Sequence, residues 1–192
     1  NTILAETGAT LVPPYDDREV TAGQGTCGLE IARQADALGT RLDDALFCCG
    51  GGGLTAGSAT ALAELSPATR VYTVEPEGFD DTARSLQTGA RVGNAPEAHS
   101  ICDALLSPMP GELTFPILQR HGVRGLVVSD AEVRAAMAFA YAWMKLVVEP
   151  GGAVTLAALL SGKLDVQGRT VALVLTGGNV DAESFCGYLA DS

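Results

Sequence analysis

The chain has 192 residues, 47% of them hydrophobic, and sets 12 Lys and Arg against 23 Asp and Glu for a formal net charge of −11. That is enough apolar material for one substantial core. So acidic a balance excludes the clustered Lys and Arg that a nucleic acid or anionic membrane surface requires, and leaves small molecules as the expected partners.

Taken in chain order, Gly8 to Val12 reads as a strand and Glu19 to Leu38 as a helix, whose first half carries Gly23-Gln24-Gly25-Thr26, small residues suited to close helix packing. Asp44 to Cys49 is a strand, Leu54 to Leu65 a small-residue helix ending before Pro67, Arg70 to Glu75 a strand, and Asp80 to Gln87 a short helix. The Pro- and Gly-containing stretch Thr88 to Pro116 is the longest irregular region; such a loop in a compact domain is more often functional than idle. Leu126 to Ser129 is a strand, and Ser129-Asp130-Ala131-Glu132 forms a capping box for a helix over Ala131 to Leu146. Gly152 to Leu160 is a helix, Thr170 to Leu175 a strand, and Ala182 to Leu189 the last helix.

Val- and Leu-rich strands alternating with helices predict an α/β fold, a three-layer parallel sheet with helices on both faces. Apolar runs are strand length or broken by Glu, Lys or Gly, so no transmembrane helix or signal peptide is visible and a cytoplasmic protein is the default expectation. A start upstream of Asn1 would leave a targeting segment out of view. The five cysteines, Cys27, Cys48, Cys49, Cys102 and Cys186, show neither a disulfide framework nor CxxC spacing and read as reduced core residues, with Cys102 the one expected nearest a ligand.

Gly-rich turns follow apolar runs at Gly50-Gly51-Gly52-Gly53, at Glu149-Pro150-Gly151-Gly152, and at Thr176-Gly177-Gly178-Asn179. Glycine lets backbone approach an anion closely, and a helix starting at Leu54 aims its free N–H groups and positive dipole end at the same place. The tetraglycine is therefore either a phosphate loop or a flexible tight turn. Placement of all these turns beyond strand C-termini, where ligands of parallel sheets bind, favours a shared ligand crevice.

The order and spacing of Val12-Pro13-Pro14-Tyr15-Asp16-Asp17, Ala22-Gly23-Gln24-Gly25-Thr26, Gly50-Gly51-Gly52-Gly53-Leu54, Val74-Glu75-Pro76, Val148-Glu149-Pro150-Gly151-Gly152-Ala153 and Gly177-Gly178-Asn179-Val180-Asp181 closely resemble the serine/threonine dehydratases, or threonine ammonia-lyases, with serine racemase a near relative. These are pyridoxal-phosphate enzymes of tryptophan-synthase-β-like fold (fold type II). The resemblance runs from about Gly8 to the end. It implies that residues 1–192 are the C-terminal part of a cofactor-binding large domain, and that an N-terminal segment holding a small domain and the Schiff-base lysine is absent. Lys145 and Lys163 are the only lysines, and neither has the family's surrounding residues, so no catalytic residue is assigned in this chain.

The resemblance further implies that Gly50, Gly51, Gly52, Gly53 and Leu54 hold the cofactor phosphate. Thr176 would meet the pyridine nitrogen, unless it is an ordinary strand-end residue. Ala104 or Cys102 would lie beside the ring, with Asp103 as a turn cap, and Glu149 would lie at the cofactor edge or serve as a backbone hydrogen-bonding group. Glu75, Asp81 and the Phe79 carbonyl fall where relatives hold Mg²⁺ or Ca²⁺, an all-oxygen set that suits a hard cation; the alternative is an acidic helix start. The implied activity of the parent enzyme is dehydration and deamination of L-threonine or L-serine to a 2-oxo acid and ammonia, with a homodimer expected for the full-length protein. Serine racemase and 3-hydroxyaspartate dehydratase stay open, as does a non-catalytic phosphate-ligand-binding or regulatory module. Without its small domain, the piece is expected to expose apolar surface.

Overall fold

Every residue of the strand Asp44–Cys48 is buried, which requires cover on both faces of its sheet. The computed structural model describes residues 2–190 and supplies that cover. In chain order its elements are α1 (Thr2–Thr7), α2 (Arg18–Ala37), β1 (Asp44–Cys48), α3 (Gly53–Leu65), β2 (Arg70–Pro76), α4 (Asp81–Thr88), a 3₁₀ turn (Asp103–Leu105), α5 (Thr114–Arg120), β3 (Arg124–Val128), α6 (Asp130–Phe139) running into a π-helical turn (Ala140–Met144), α7 (Pro150–Leu160), β4 (Val171–Leu173) and α8 (Ala182–Ala190).

The four strands are all parallel, in the order β3-β2-β1-β4, with Leu46 opposite Tyr72 on one side and Leu173 on the other. Alternation along β1 divides the core. Leu46 and Cys48 join Val74, Val128, Val133, Met137 and Val154 on the face covered by α6 and α7, while Ala45 and Phe47 join Ala32, Ala56, Ala59 and Leu62 on the face covered by α2 and α3. At the start of β1 the fully buried Asp44 carboxylate is neutralised by Arg70, 2.9 Å away, and by Arg169. The α/β expectation, a parallel sheet between helical layers, is borne out.

Helices α2 and α3 cross backbone to backbone. A Cβ on Gly57 would overlap the Thr21 carbonyl and sit 2.6 Å from the Gly25 nitrogen, and one on Gly28 would sit 2.5 Å from the Ser58 carbonyl oxygen. Of the Gly23-Gln24-Gly25-Thr26 phrase only Gly25 makes this approach; Gly23 faces open space.

The structure corrects several expected elements. Residues 8–12 form no strand; Leu11 and Val12 are exposed, and no neighbouring strand offers this segment a ladder. Helix α5 is absent from the sequence reading, because its N-terminus is capped by Asp16 from far away in sequence. The helix expected to reach Leu146 has the predicted capping box, Ser129 with Glu132, but loosens into the π-turn and ends at Lys145, whose φ is 59°. That end leaves Tyr141, Trp143 and Val147 exposed.

Two outcomes follow from these contacts. Gly57→Ala is expected to destabilise the fold by about 3 kcal/mol, because only backbone surrounds the added methyl, whereas Gly23→Ala on the same helix pair is expected to be neutral or mildly stabilising; thermal denaturation of both checks this. Burial pushes the Glu132 carboxyl up, but the Ser129 N–H and Lys163 outweigh it and the net shift is downward. Its contribution is therefore full above the unfolded carboxyl pKa and is lost as pH falls through the depressed folded value. Ser129→Ala is expected to cost about 1 kcal/mol, and the stability gap between wild type and Glu132→Gln is expected to close on acidification in a pH series of denaturant melts.

Candidate functional site

The chain leaves β1 through Cys49 and turns through Gly50–Gly53 directly into α3, so the tetraglycine sits between a strand C-terminus and a helix N-terminus. Helices α2, α4 and α6 have carboxylate or hydroxyl oxygens on N–H groups of their first turn, from Asp17, Glu75 and Ser129 respectively, and Asp16 accepts from the two N–H groups just before α5. Helix α3 has none: its cap is Gly52, at φ 91°, a conformation that penalises any side chain. The backbone N–H groups of Gly50, Gly51, Gly52, Gly53 and Leu54 have no acceptor among the described residues. Donors clustered at a helix N-terminus in buried or half-buried residues are costly to leave unpaired, and such a cluster is suited to an anion.

These glycines floor a cavity of about 510 Å³, walled by Pro14, Tyr15, Gln24, Cys48, Leu54, the 3₁₀ turn and Leu106–Pro108, with no Lys or Arg among its lining residues. A Cβ on Gly51 would lie within the Tyr15 ring, and one on Gly50 would meet Ser107 Oγ at 3.0 Å. The lining is a cradle that only backbone fits. Its chemistry suits a phosphate held by amides and a helix dipole rather than by side-chain cations.

Of the residues singled out from sequence, Gly50–Gly53, Leu54 and Ala104 are brought together in this lining. Thr176 is exposed just beyond β4, its hydroxyl 3.3 Å from the thiol of Cys48, which lines the cavity. Glu149 precedes α7 and is used structurally. Its N–H donates to the Gly177 carbonyl at 3.0 Å, and its carboxylate lies against Gly177, with the Asn179 backbone N–H favouring its charged form. Burial, aided by the Asp103 charge, raises its pKa, so the turn carrying Thr176 is clamped by a half-buried carboxyl. Cys102 is fully buried in the α6–α7 core, its thiol pushed up to about 12 chiefly by burial, and it does not line the cavity; Cys48 takes the place expected of it.

Of the candidate cation residues, Glu75 and Asp81 face one another at the end of β2. Both Glu75 oxygens are already in use, accepting from Thr82 N–H at 2.9 Å and Ala83 N–H at 2.7 Å. Burial, then the Asp81 charge, pushes the Glu75 carboxyl up to about 8, and burial raises Asp81 to about 6. Asp81 Oδ1 accepts from Asn94 Nδ2 at 2.6 Å, but Oδ2 is buried without a partner. Among the described residues no group of three or more His, Cys, Asp or Glu is arranged to hold a metal, so a cation here would rely on this lone oxygen, backbone and water. The Asn94 side chain also donates to the Ser107 carbonyl at 2.8 Å and accepts from Arg84 at 2.5 Å, which ties the acidic pair to the cavity wall.

Tyr15, Ser107 and Asn94 carry no role in the sequence reading. The Pro13-Pro14-Tyr15-Asp16-Asp17 phrase is itself a signal, but only the folded chain shows Tyr15 over Gly51. Ser107 and Asn94 lie in the long irregular stretch and carry no motif. Lys145 Nζ donates to the Ala142 carbonyl and Lys163 pairs with Glu132, and neither lines the cavity.

Known proteins resemble this chain over nearly its whole length. The L-threo-3-hydroxyaspartate ammonia-lyase of a Pseudomonas species is 42% identical over 98% of this chain and 57% of its own length. The serine racemase of Dictyostelium discoideum is 36% identical over 95% of this chain and 56% of its own. Among solved structures, a threonine deaminase from T.th. superposes with a TM-score of 0.86 at 43% identity, over 94% of this chain and 65% of that one. The chain thus spans a little over half the length of the relatives named here. It also matches the family described as pyridoxal-phosphate dependent enzyme over residues 1–177, so this chain belongs to the pyridoxal-phosphate-dependent enzymes of fold type II and carries part of their fold.

Proposed function

We propose that the protein containing this chain eliminates water and then ammonia from a β-hydroxy amino acid, L-threonine or L-serine, to give a 2-oxo acid. The observation carrying this reading is the row of unpaired N–H groups from Gly50 to Leu54 on the floor of a cavity that admits no side chain there. Pyridoxal 5′-phosphate, when bound, supplies the electron-accepting ring that makes loss of the Cα proton and the β-hydroxyl accessible. The tetraglycine and the α3 dipole hold its phosphate. Ala104 and Leu105 shape the cavity wall and exclude water from it.

Thr176 is the residue we assign to the ring nitrogen. A hydroxyl there, unlike a carboxylate, does not hold that nitrogen protonated, and the resulting weaker electron sink suits an elimination in which the leaving hydroxyl carries the electrons away. Glu149 keeps the Thr176 turn in place through Gly177 and Asn179. 3-Hydroxyaspartate stands as a second substrate, favoured by the relatives named for it that match nearly all of this chain. Residues 1–192 read as the C-terminal part of the large domain, with the cofactor-bonding lysine and most substrate contacts on an N-terminal segment, and the whole protein as a homodimer.

Asp81 Oδ2, the buried oxygen without a partner, supports the cation reading for Mg²⁺ or Ca²⁺, with the Phe79 carbonyl and water as further ligands and Glu75 joining only if it gives up its hydrogen bonds from Thr82 and Ala83. Magnesium or calcium is expected to raise the melting temperature of the full-length protein, and Asp81→Asn to abolish the rise; an equal rise in the variant would count against the site.

The functional reading is tested on residues 1–192 incubated with pyridoxal phosphate, threonine or serine, and then borohydride. The expected result is no pyridoxyl group fixed on Lys145 or Lys163 and no 2-oxo acid, since both amines are engaged elsewhere, while the full-length protein releases oxo acid and ammonia. Oxo acid from residues 1–192 alone would contradict the assignment of the base to another segment.

A further inference from the structure

Residues outside the cavity fix how the cradle's peptides face. The Gly51 carbonyl accepts two hydrogen bonds from the start of α5, from Thr114 Oγ1 at 2.6 Å and from the Gly111 N–H at 3.2 Å. Thr114 is fully buried, and it does not line the cavity, whereas Gly51 and Gly52 do. In a trans peptide the carbonyl and the following N–H point to opposite sides. A Gly51 carbonyl drawn back toward Thr114 therefore turns the Gly52 N–H forward.

The α5 start is itself held. Asp16, at φ 63°, accepts from the Glu112 N–H at 2.8 Å and the Leu113 N–H at 2.6 Å. The residue before it, Tyr15, lies against Gly51. One short segment thus presses on the glycine loop with a ring and anchors, through α5, the hydroxyl that pulls the same loop from behind. Gly52 stands at φ 91°, and a Cβ there would meet Thr114 Oγ1 at 3.0 Å, so glycine is needed at this point for both its conformation and its space.

We infer that Thr114 is a positioning residue for the phosphate cradle: its hydroxyl, held in place by Asp16, orients the Gly51–Gly52 peptide so that the Gly52 N–H faces the bound phosphate. The inference rests on the proposed reading of Gly50–Gly53 as the phosphate site. Without the hydroxyl, the Gly51 carbonyl keeps only the longer bond from Gly111, and the peptide is free to rock away from the orientation an anion needs. A preorganised donor lowers the cost of binding, and losing one neutral hydrogen bond behind it is worth about a fivefold change in affinity.

The test uses the full chain in its apo form and two probes, pyridoxine 5′-phosphate and pyridoxine, which share a ring but not the phosphate and carry no aldehyde to react with lysines. The ratio of their dissociation constants isolates the phosphate contribution, and it is compared in wild type, Thr114→Val, which keeps the shape, and Thr114→Ser, which keeps the hydroxyl. The expected result is a strong wild-type preference for the phosphate ester, reduced about fivefold in Thr114→Val with pyridoxine affinity unchanged, and restored in Thr114→Ser. An undiminished preference in Thr114→Val overturns the positioning role while leaving the phosphate site standing. Equal weakening of both probes, or no rescue by serine, also overturns it, since a general packing defect would do either. Absence of any wild-type preference overturns the phosphate reading and the inference with it.

Discussion

Backbone approaching backbone, without side chains between, is the constraint on which this structure depends. Helix α3 is pinned against α2 so closely that a methyl at Gly57 would overlap the Thr21 carbonyl. The same helix begins at the tetraglycine, where Tyr15 occupies the space a side chain on Gly51 would need. Because α3 is held along its length and at its start, its N-terminus is fixed at the end of β1, on the floor of the cavity. The cradle is a consequence of the helix crossing as much as of the glycines that line it.

The electrostatics are consistent with that arrangement. An acidic chain would be expected to repel an anion, yet several carboxylates near the site are engaged in other tasks, which leaves Asp103 as the exposed one on the cavity wall. Asp17 caps α2, Asp16 holds α5, and Glu75 accepts from the first turn of α4. Asp44 is buried between Arg70 and Arg169 at the opposite end of β1. What remains at the cavity floor is a helix end without a capping side chain, where fixed N–H dipoles replace a cation at short range and in a partly dehydrated setting. The buried carboxylate oxygen without a partner, on Asp81, lies behind Asn94 and the Ser107 segment of the wall.

Local rules carried the reading of the sequence wherever the determinants were local. The capping box at Ser129, the buried run ending at Cys49 and the glycines after it are written in consecutive residues, and the folded chain places them as expected. Where the determinant was distant, the sequence was silent or misleading. Helix α5 starts on a carboxylate from Asp16, Val12 lacks the neighbouring strand its side chain suggests, and the helix after Ser129 stops at a left-handed lysine rather than at a glycine or proline. In the site, the tetraglycine turn between strand and helix was legible, but Thr114, Asn94 and Ser107 act through hydrogen bonds made across tertiary contacts and carry no motif. Cys102 and Cys48 look alike in sequence; only the pleat of β1 and the 3₁₀ turn decide which reaches the cavity.

Amide proton and nitrogen resonances of the full-length protein, followed through a titration with pyridoxine 5′-phosphate, test the phosphate cradle most directly. The largest shifts are expected on Gly50 through Leu54, with smaller ones at Ser107. Shifts centred instead on the apolar cavity of about 440 Å³ between α2, α3 and α5, lined by Ala22, Gly25, Thr60 and Ile117, with the tetraglycine amides unmoved, would contradict it.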